Sequence, residues 1–146
     1  MFRWPRLAKI AQYLLGTAFV VFGLDGFLHF IPIPPARPPA ERLIGALIQT
    51  GYFFQMVKGI ELIAGLLLLS NRLVPLALVL LAPLLIAITS IHAFLNPEGV
   101  PLLTVLMALH LVVVKAHWAY LRPLLTIRSD RSEPQPLPTQ ANWSDS

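Results

Sequence analysis

The stretch TGYFFQMVKGIELIAGLLLLSNR, residues 50–72, decides how this chain is read. It is one of the most apolar segments of the sequence, yet it carries a lysine at 58 and a glutamate at 61. Residues three apart share one face of a helix, so the segment either turns a polar face inward or lies outside lipid. The composition favours the first. Of 146 residues, 56% are hydrophobic and 12% charged, and the mean hydropathy is +0.70. A soluble domain averages roughly 25% charged residues, so a water-facing surface here would have to be built from leucine and valine. The expected fold is all-α: a polytopic membrane protein, folded as an antiparallel bundle of four transmembrane helices.

Crossing the hydrocarbon takes about 20 helical residues. Four segments reach that length, roughly 10–31, 52–70, 73–95 and 100–121. Only Asn71 and Arg72 separate the second from the third, and Asn96-Pro97-Glu98-Gly99 joins the third to the fourth. Links this short force neighbouring helices to run antiparallel. The first link, IPIPPARPPAERLIGALIQTG, opens with prolines that exclude an ordinary helix. Over residues 40–49 it then sets Glu41 and Arg42 before Leu43, Ile44, Leu47 and Ile48, a pattern that predicts a short interfacial helix or, alternatively, a lid over the bundle mouth. The basic start followed by an apolar run resembles a signal peptide. The run continues through Gly16 and Gly23 without a small-x-small cleavage pattern, so a retained first helix is expected. Residues 1–125 thus read as the transmembrane domain, and the polar, proline-rich residues 126–146 as a disordered tail.

Charge sets the expected topology. With the N-terminus inside, Arg3, Arg6, Lys9, Arg72, Arg122 and Arg128 fall on the inner side, and Arg37, Arg42, Glu41 and Glu98 on the outer. The positive-inside rule then places both termini in the cytoplasm, where Asn142-Trp143-Ser144 is a chance match to the glycosylation pattern. The net charge of +4 comes from residues that punctuate apolar runs and form no basic stripe, so membrane lipids are the expected partners and nucleic acid is not. The absence of cysteine excludes disulfides, thiolate catalysis and iron–sulfur ligation by this chain.

Lys9, Arg72 and Arg122 sit at span ends, where long basic side chains snorkel to the interface. Asp25 and Lys58 lie deeper, each about six residues or ~9 Å from the outer end of its span. An isolated charge at such depth costs at least a few kcal/mol, which predicts that the two pair. Glu61, at ~14 Å, is near the midplane, and His110 reaches a similar depth from the other direction, so a contact is allowed if their faces meet. His29 follows Asp25 by one turn, and His92 lies near the outer end of the third span.

The candidate ligand-binding or proton-handling residues are therefore Asp25, His29, Lys58, Glu61, His92 and His110, with no catalytic role assigned. Two uses stay open. Polar side chains tie membrane helices together at ~1 kcal/mol per contact; alternatively, a carboxylate and an imidazole pass a proton or hold a quinone carbonyl and hydroxyl. No metal is expected, and haem is disfavoured: His29 and His92 are outer, His110 central and His117 inner, with no HExxH or CxxCH pattern. His117, beside Trp118 and Tyr120, fits an interfacial aromatic belt. Gly16, Gly23, Gly59 and Gly65 are expected to permit close helix approach, and Pro83 to bend the third span and widen its outer half.

The segments FGLDGFLHFIP (22–32), KGIELIAGLLLLSNRLVPLALVLLAP (58–83) and HAFLNPEG (92–99) resemble the DoxX-like family of small bacterial four-helix membrane proteins, over about residues 10–121. Gly59, Glu61, Gly65, Arg72 and Pro75 carry most of the specificity, and His92 with Phe94 is similar to one branch of the family. The family is named for a membrane subunit associated with a thiosulfate:quinone oxidoreductase. The resemblance implies a bacterial inner-membrane, redox-associated subunit with a polar intramembrane site for a quinone-like lipophilic ligand, working in a membrane redox complex or a homo-oligomer. It assigns catalysis to no residue, and no sulfur-oxidising domain accompanies this sequence, so thiosulfate oxidation by the chain alone is not expected. The alternatives are a non-enzymatic membrane assembly or accessory protein and a small proton-coupled transporter.

Overall fold

The computed structural model describes residues 4–32 and 34–125; the tail expected from residue 126 lies outside them. The described secondary structure is entirely helical: α1 (Trp4–Leu28), α2 (Pro38–Gln49), α3 (Phe53–Leu69), α4 (Val74–Leu95), a 3-10 turn at Pro97–Gly99, α5 (Val100–Ala116) and α6 (Trp118–Leu125). Three helices are long and apolar enough to cross a membrane: α1, α4, and α5 with its leading turn. The crossing expected over 52–70 is not met by α3 alone. Its 17 residues rise ~26 Å, against ~30 Å of hydrocarbon. It qualifies only together with α2, from which it turns through 93°. Gly51 makes that corner with φ +77°, a left-handed conformation that a side chain would strain.

The long helices close a ring in which α1 packs on α3, α3 on α4, α4 on α5 and α5 on α1, while α2 rests against α3 and α4. Each contributes an inward apolar stripe, including Leu15 and Phe19, Ala64 and Leu68, Leu81 and Leu85, and Leu103 and Leu106. The opposite faces are equally apolar: Ile63, Leu66, Val79, Ile86 and Leu111 are exposed. A surface of this kind suits contact with acyl chains and is untenable in water.

Helices α1 and α3 approach at backbone distance. A methyl group added at Gly23 would lie 2.8 Å from the Leu62 amide nitrogen, and one at Gly65 would lie 2.8 Å from that of Val20. The two helices run antiparallel: Lys9 donates to Asn71 Oδ1 at one end, and the Lys58 stem lies against Gly26 at the other. Gly59, expected to share this role, meets no atom within 4 Å and is not a packing glycine.

Element ends also depart from expectation. Helix α1 begins at Trp4 and stops at Leu28. Helix α2 starts two residues early, at Pro38, because the first turn of a helix has no use for the amide that proline lacks. The fourth span, expected to reach 121, ends at Ala116. There the His117 ring donates from Nδ1 to the Val113 carbonyl at 3.0 Å, and the chain restarts as α6. Helix α4 runs through Pro83 without interruption.

Candidate functional site

The antiparallel order gathers the C-terminal ends of α1 and α4 with the N-terminal ends of α3 and α5. Between them lies a cavity of about 420 Å³. Its walls are apolar, formed by Phe19 and Phe22 of α1, Leu85 and Ile88 of α4, and Leu103 and Leu106 of α5. Pro32, Pro34 and Pro35 of the link after α1 line one side. The polar lining consists of Lys58 and Glu61 on α3, His92 on α4, and Asn96 and Glu98 in the turn that follows.

Glu61 is 1% exposed, and its Oε2 accepts from Lys58 Nζ at 2.8 Å. The local i,i+3 spacing brings the two together, so the pair forms within α3 and ties no helix to another. Gly26 makes room for it: a methyl there would come within 2.2 Å of Lys58 Cγ. The missing side chain on α1 is the channel along which the lysine stem reaches the cavity. The Phe54 ring, 5.6 Å from Nζ, adds a cation–π contact.

His92 is fixed by its own helix. Nδ1 lies 3.0 Å from the Ile88 carbonyl, and a carbonyl only accepts, so the neutral ring carries its proton on Nδ1 and leaves a lone pair on Nε2. Gly99 provides the space for the ring, since a methyl at that position would fall 1.9 Å from His92 Cδ2.

Three of the six sequence candidates are placed differently from expectation. Asp25 does not pair with Lys58; its buried carboxylate accepts the Ile31 amide at 2.7 Å. The cause lies in how α1 ends. His29 adopts φ +51° and donates its amide to the Asp25 carbonyl, turning the chain back so that the first extended residues fall beside the Asp25 side chain. That same left-handed turn leaves His29 exposed and off the cavity lining. His110 is buried, 4% exposed, on the stripe Leu103, Leu106, His110, Val113, one turn beyond the cavity wall. It makes no hydrogen bond to Glu61, and its Nδ1 has no partner. Matched depth was not sufficient, because α3 and α5 are not neighbours in the ring. Among the described residues no group of three or more His, Cys, Asp or Glu is arranged to hold a metal ion.

The structure adds residues that charge-based reading passed over. Gln12, 0% exposed, donates from Nε2 to the Leu68 carbonyl at 2.7 Å and to Asn71 Oδ1 at 3.2 Å, tying α1 to the end of α3 away from the cavity. Its only signal in sequence is its place on the inward stripe with Ala8, Ala11, Leu15 and Phe19. Asn96 accepts the Arg37 amide at 3.4 Å, and the Arg37 guanidinium stands 3.9 Å from Glu98. These contacts draw the proline segment across the cavity mouth. The exposed ion pair contributes at most about 1 kcal/mol to that closure.

Comparison with protein-family models, curated proteins and solved structures finds no match to the chain. The fold and the site by themselves define an all-α, multi-pass, membrane-type protein with a buried ion pair facing an apolar cavity.

Proposed function

We propose that the protein is a DoxX-like integral protein of a bacterial inner membrane, a redox-associated subunit whose cavity binds a small quinone-like lipophilic ligand. The observation that carries this reading is the Lys58–Glu61 pair, set into the wall of an otherwise apolar cavity of about 420 Å³. Small-molecule sites typically enclose roughly 300–1,000 Å³ of mostly apolar space with a few polar groups that fix orientation. The aromatic and aliphatic walls suit a ring and the start of an alkyl tail, and the lysine ammonium retains two N–H groups for a ligand oxygen. A pair serving only to fix the bundle would bridge two helices, as Gln12 does between α1 and α3; Lys58 and Glu61 share one.

In this reading α3 is the fourth crossing. It lies along α1 from the Lys9–Asn71 contact to the Gly26–Lys58 contact, a span of ~26 Å on α1. The charge bias puts both termini in the cytoplasm and the cavity mouth on the outer side. Membrane lipids surround the apolar faces, and a membrane redox complex or a second copy of the chain is the protein partner. The test is purification in native lipids followed by extraction and mass spectrometry. About one quinone per chain is the expected result, and its absence from preparations in several detergents overturns the reading.

A further inference from the structure

The cavity presents both hydrogen-bond donors and acceptors, and this mixture specifies the ligand more closely than its apolar walls do. On the donor side stand Lys58, with one of its three N–H groups engaged by Glu61, and the Asn96 side-chain NH2, whose carbonyl oxygen accepts the Arg37 amide. Glu61 uses Oε2 for the lysine, and a carboxylate keeps further lone pairs to accept with. His92 commits its Nδ1–H to the Ile88 carbonyl, so the neutral ring carries its lone pair on Nε2. A ligand bearing only acceptor oxygens satisfies Lys58 and Asn96 and leaves both of these acceptors unmet.

We infer that the cavity recognises a ligand carrying hydroxyl donors as well as acceptor oxygen, with Lys58 donating to one oxygen and His92 Nε2 accepting from a hydroxyl. This deepens the proposed function and rests on it: within the quinone class, the site holds the hydroquinone in preference to the quinone. Each hydroxyl both accepts and donates, so a hydroquinone has a group to offer the ammonium and a group to offer the imidazole. The quinone accepts at both ends and offers His92 nothing. Sites built to hydrogen-bond a hydroxyl discriminate against the analogue without it, because their own polar groups are then left unpaired. Here His92 is half-buried, and water offsets part of that loss.

The experiment uses the full chain in lipid nanodiscs under argon, with empty nanodiscs as the partition control. Calorimetry measures the affinity for a decyl-substituted 1,4-hydroquinone, the corresponding 1,4-benzoquinone and the hydroquinone's dimethyl ether, which keeps both oxygens but donates nothing. The hydroquinone is expected to bind about 10-fold more tightly than either of the others, the effect of one hydrogen bond at this partly wet position. In His92→Phe the advantage of the hydroquinone over the other two shrinks to about 3-fold or less. Equal affinity of the wild-type protein for hydroquinone and dimethyl ether overturns the inference without recourse to any variant, and an undiminished ratio in His92→Phe overturns the part given to His92. Binding by none of the three removes the quinone-class reading itself, and this inference with it.

Discussion

Replacing Glu61 by leucine removes the ion-pair partner, among the described residues, of an ammonium group that sits in an apolar wall. The pair is separated by 2.8 Å, with side-chain exposures of 19% for Lys58 and 2% for Glu61. At an effective dielectric of about 20, the direct attraction at that distance is about 6 kcal/mol, most of which offsets the desolvation of both groups. Losing one partner of such a pair typically costs about 3–5 kcal/mol. The residual water contact of Lys58 puts Glu61→Leu near the lower end, about 3 kcal/mol. Lys58→Met combined with Glu61→Leu leaves no charge stranded and is expected to return to within about 1 kcal/mol of the wild type. Equilibrium unfolding in mixed micelles, followed by far-ultraviolet circular dichroism, measures all four corners of the cycle. A Glu61→Leu cost below about 1 kcal/mol, or a double variant no more stable than the single one, refutes the claim that the two charges are buried against each other. The double variant also separates structure from ligand: on this account it keeps the fold and loses the bound quinone.

Asp25→Ala deprives the Ile31 amide of a charged acceptor and is expected to cost about 1.5–3 kcal/mol, with Asp25→Asn costing less because its amide oxygen still accepts; the same unfolding assay checks both. Gly65→Ala drives a methyl against the Val20 backbone, so the α1–α3 contact must open at a cost of about 1–3 kcal/mol, whereas Gly59→Ala, facing open space, should leave stability unchanged or slightly raised. Gly51→Ala strains the φ +77° corner between α2 and α3 by about 1 kcal/mol, and it should raise amide exchange in α2 before it affects the core helices.

What could be read from sequence was what is local or repeated. Apolar runs fix the helices because lipid length demands them, and Lys58 with Glu61 is legible because three residues on a helix settle a contact without reference to the rest of the fold. Asp25 was misread because its partner is created by a chain reversal. The left-handed residue there is His29, and a histidine gives no warning of a turn that a glycine would have announced. Glu61 and His110 were matched in depth, but depth leaves open which helices are neighbours, and the ring order separates α3 from α5. Gln12 escaped because a neutral amide does not stand out among charges, although it holds more interhelical hydrogen bonds than any charged candidate. The break at His117 lies between two stretches that are both helical, which no hydropathy window registers.

The absence of native cysteine provides a clean background for testing whether the ion-pair cavity is a ligand site distinct from the lipid-facing surface. Ile88 lines the cavity and Ile86, two residues earlier on α4, points away from the bundle with 62% exposure. The measurement is the rate at which Ile88→Cys and Ile86→Cys react with a small water-soluble methanethiosulfonate in nanodiscs, with and without the decyl hydroquinone. The account predicts that Ile88→Cys reacts and is protected by the hydroquinone, while Ile86→Cys stays unreactive under both conditions. Equal rates at the two positions, or reaction at Ile88→Cys that the hydroquinone leaves unchanged, would contradict it.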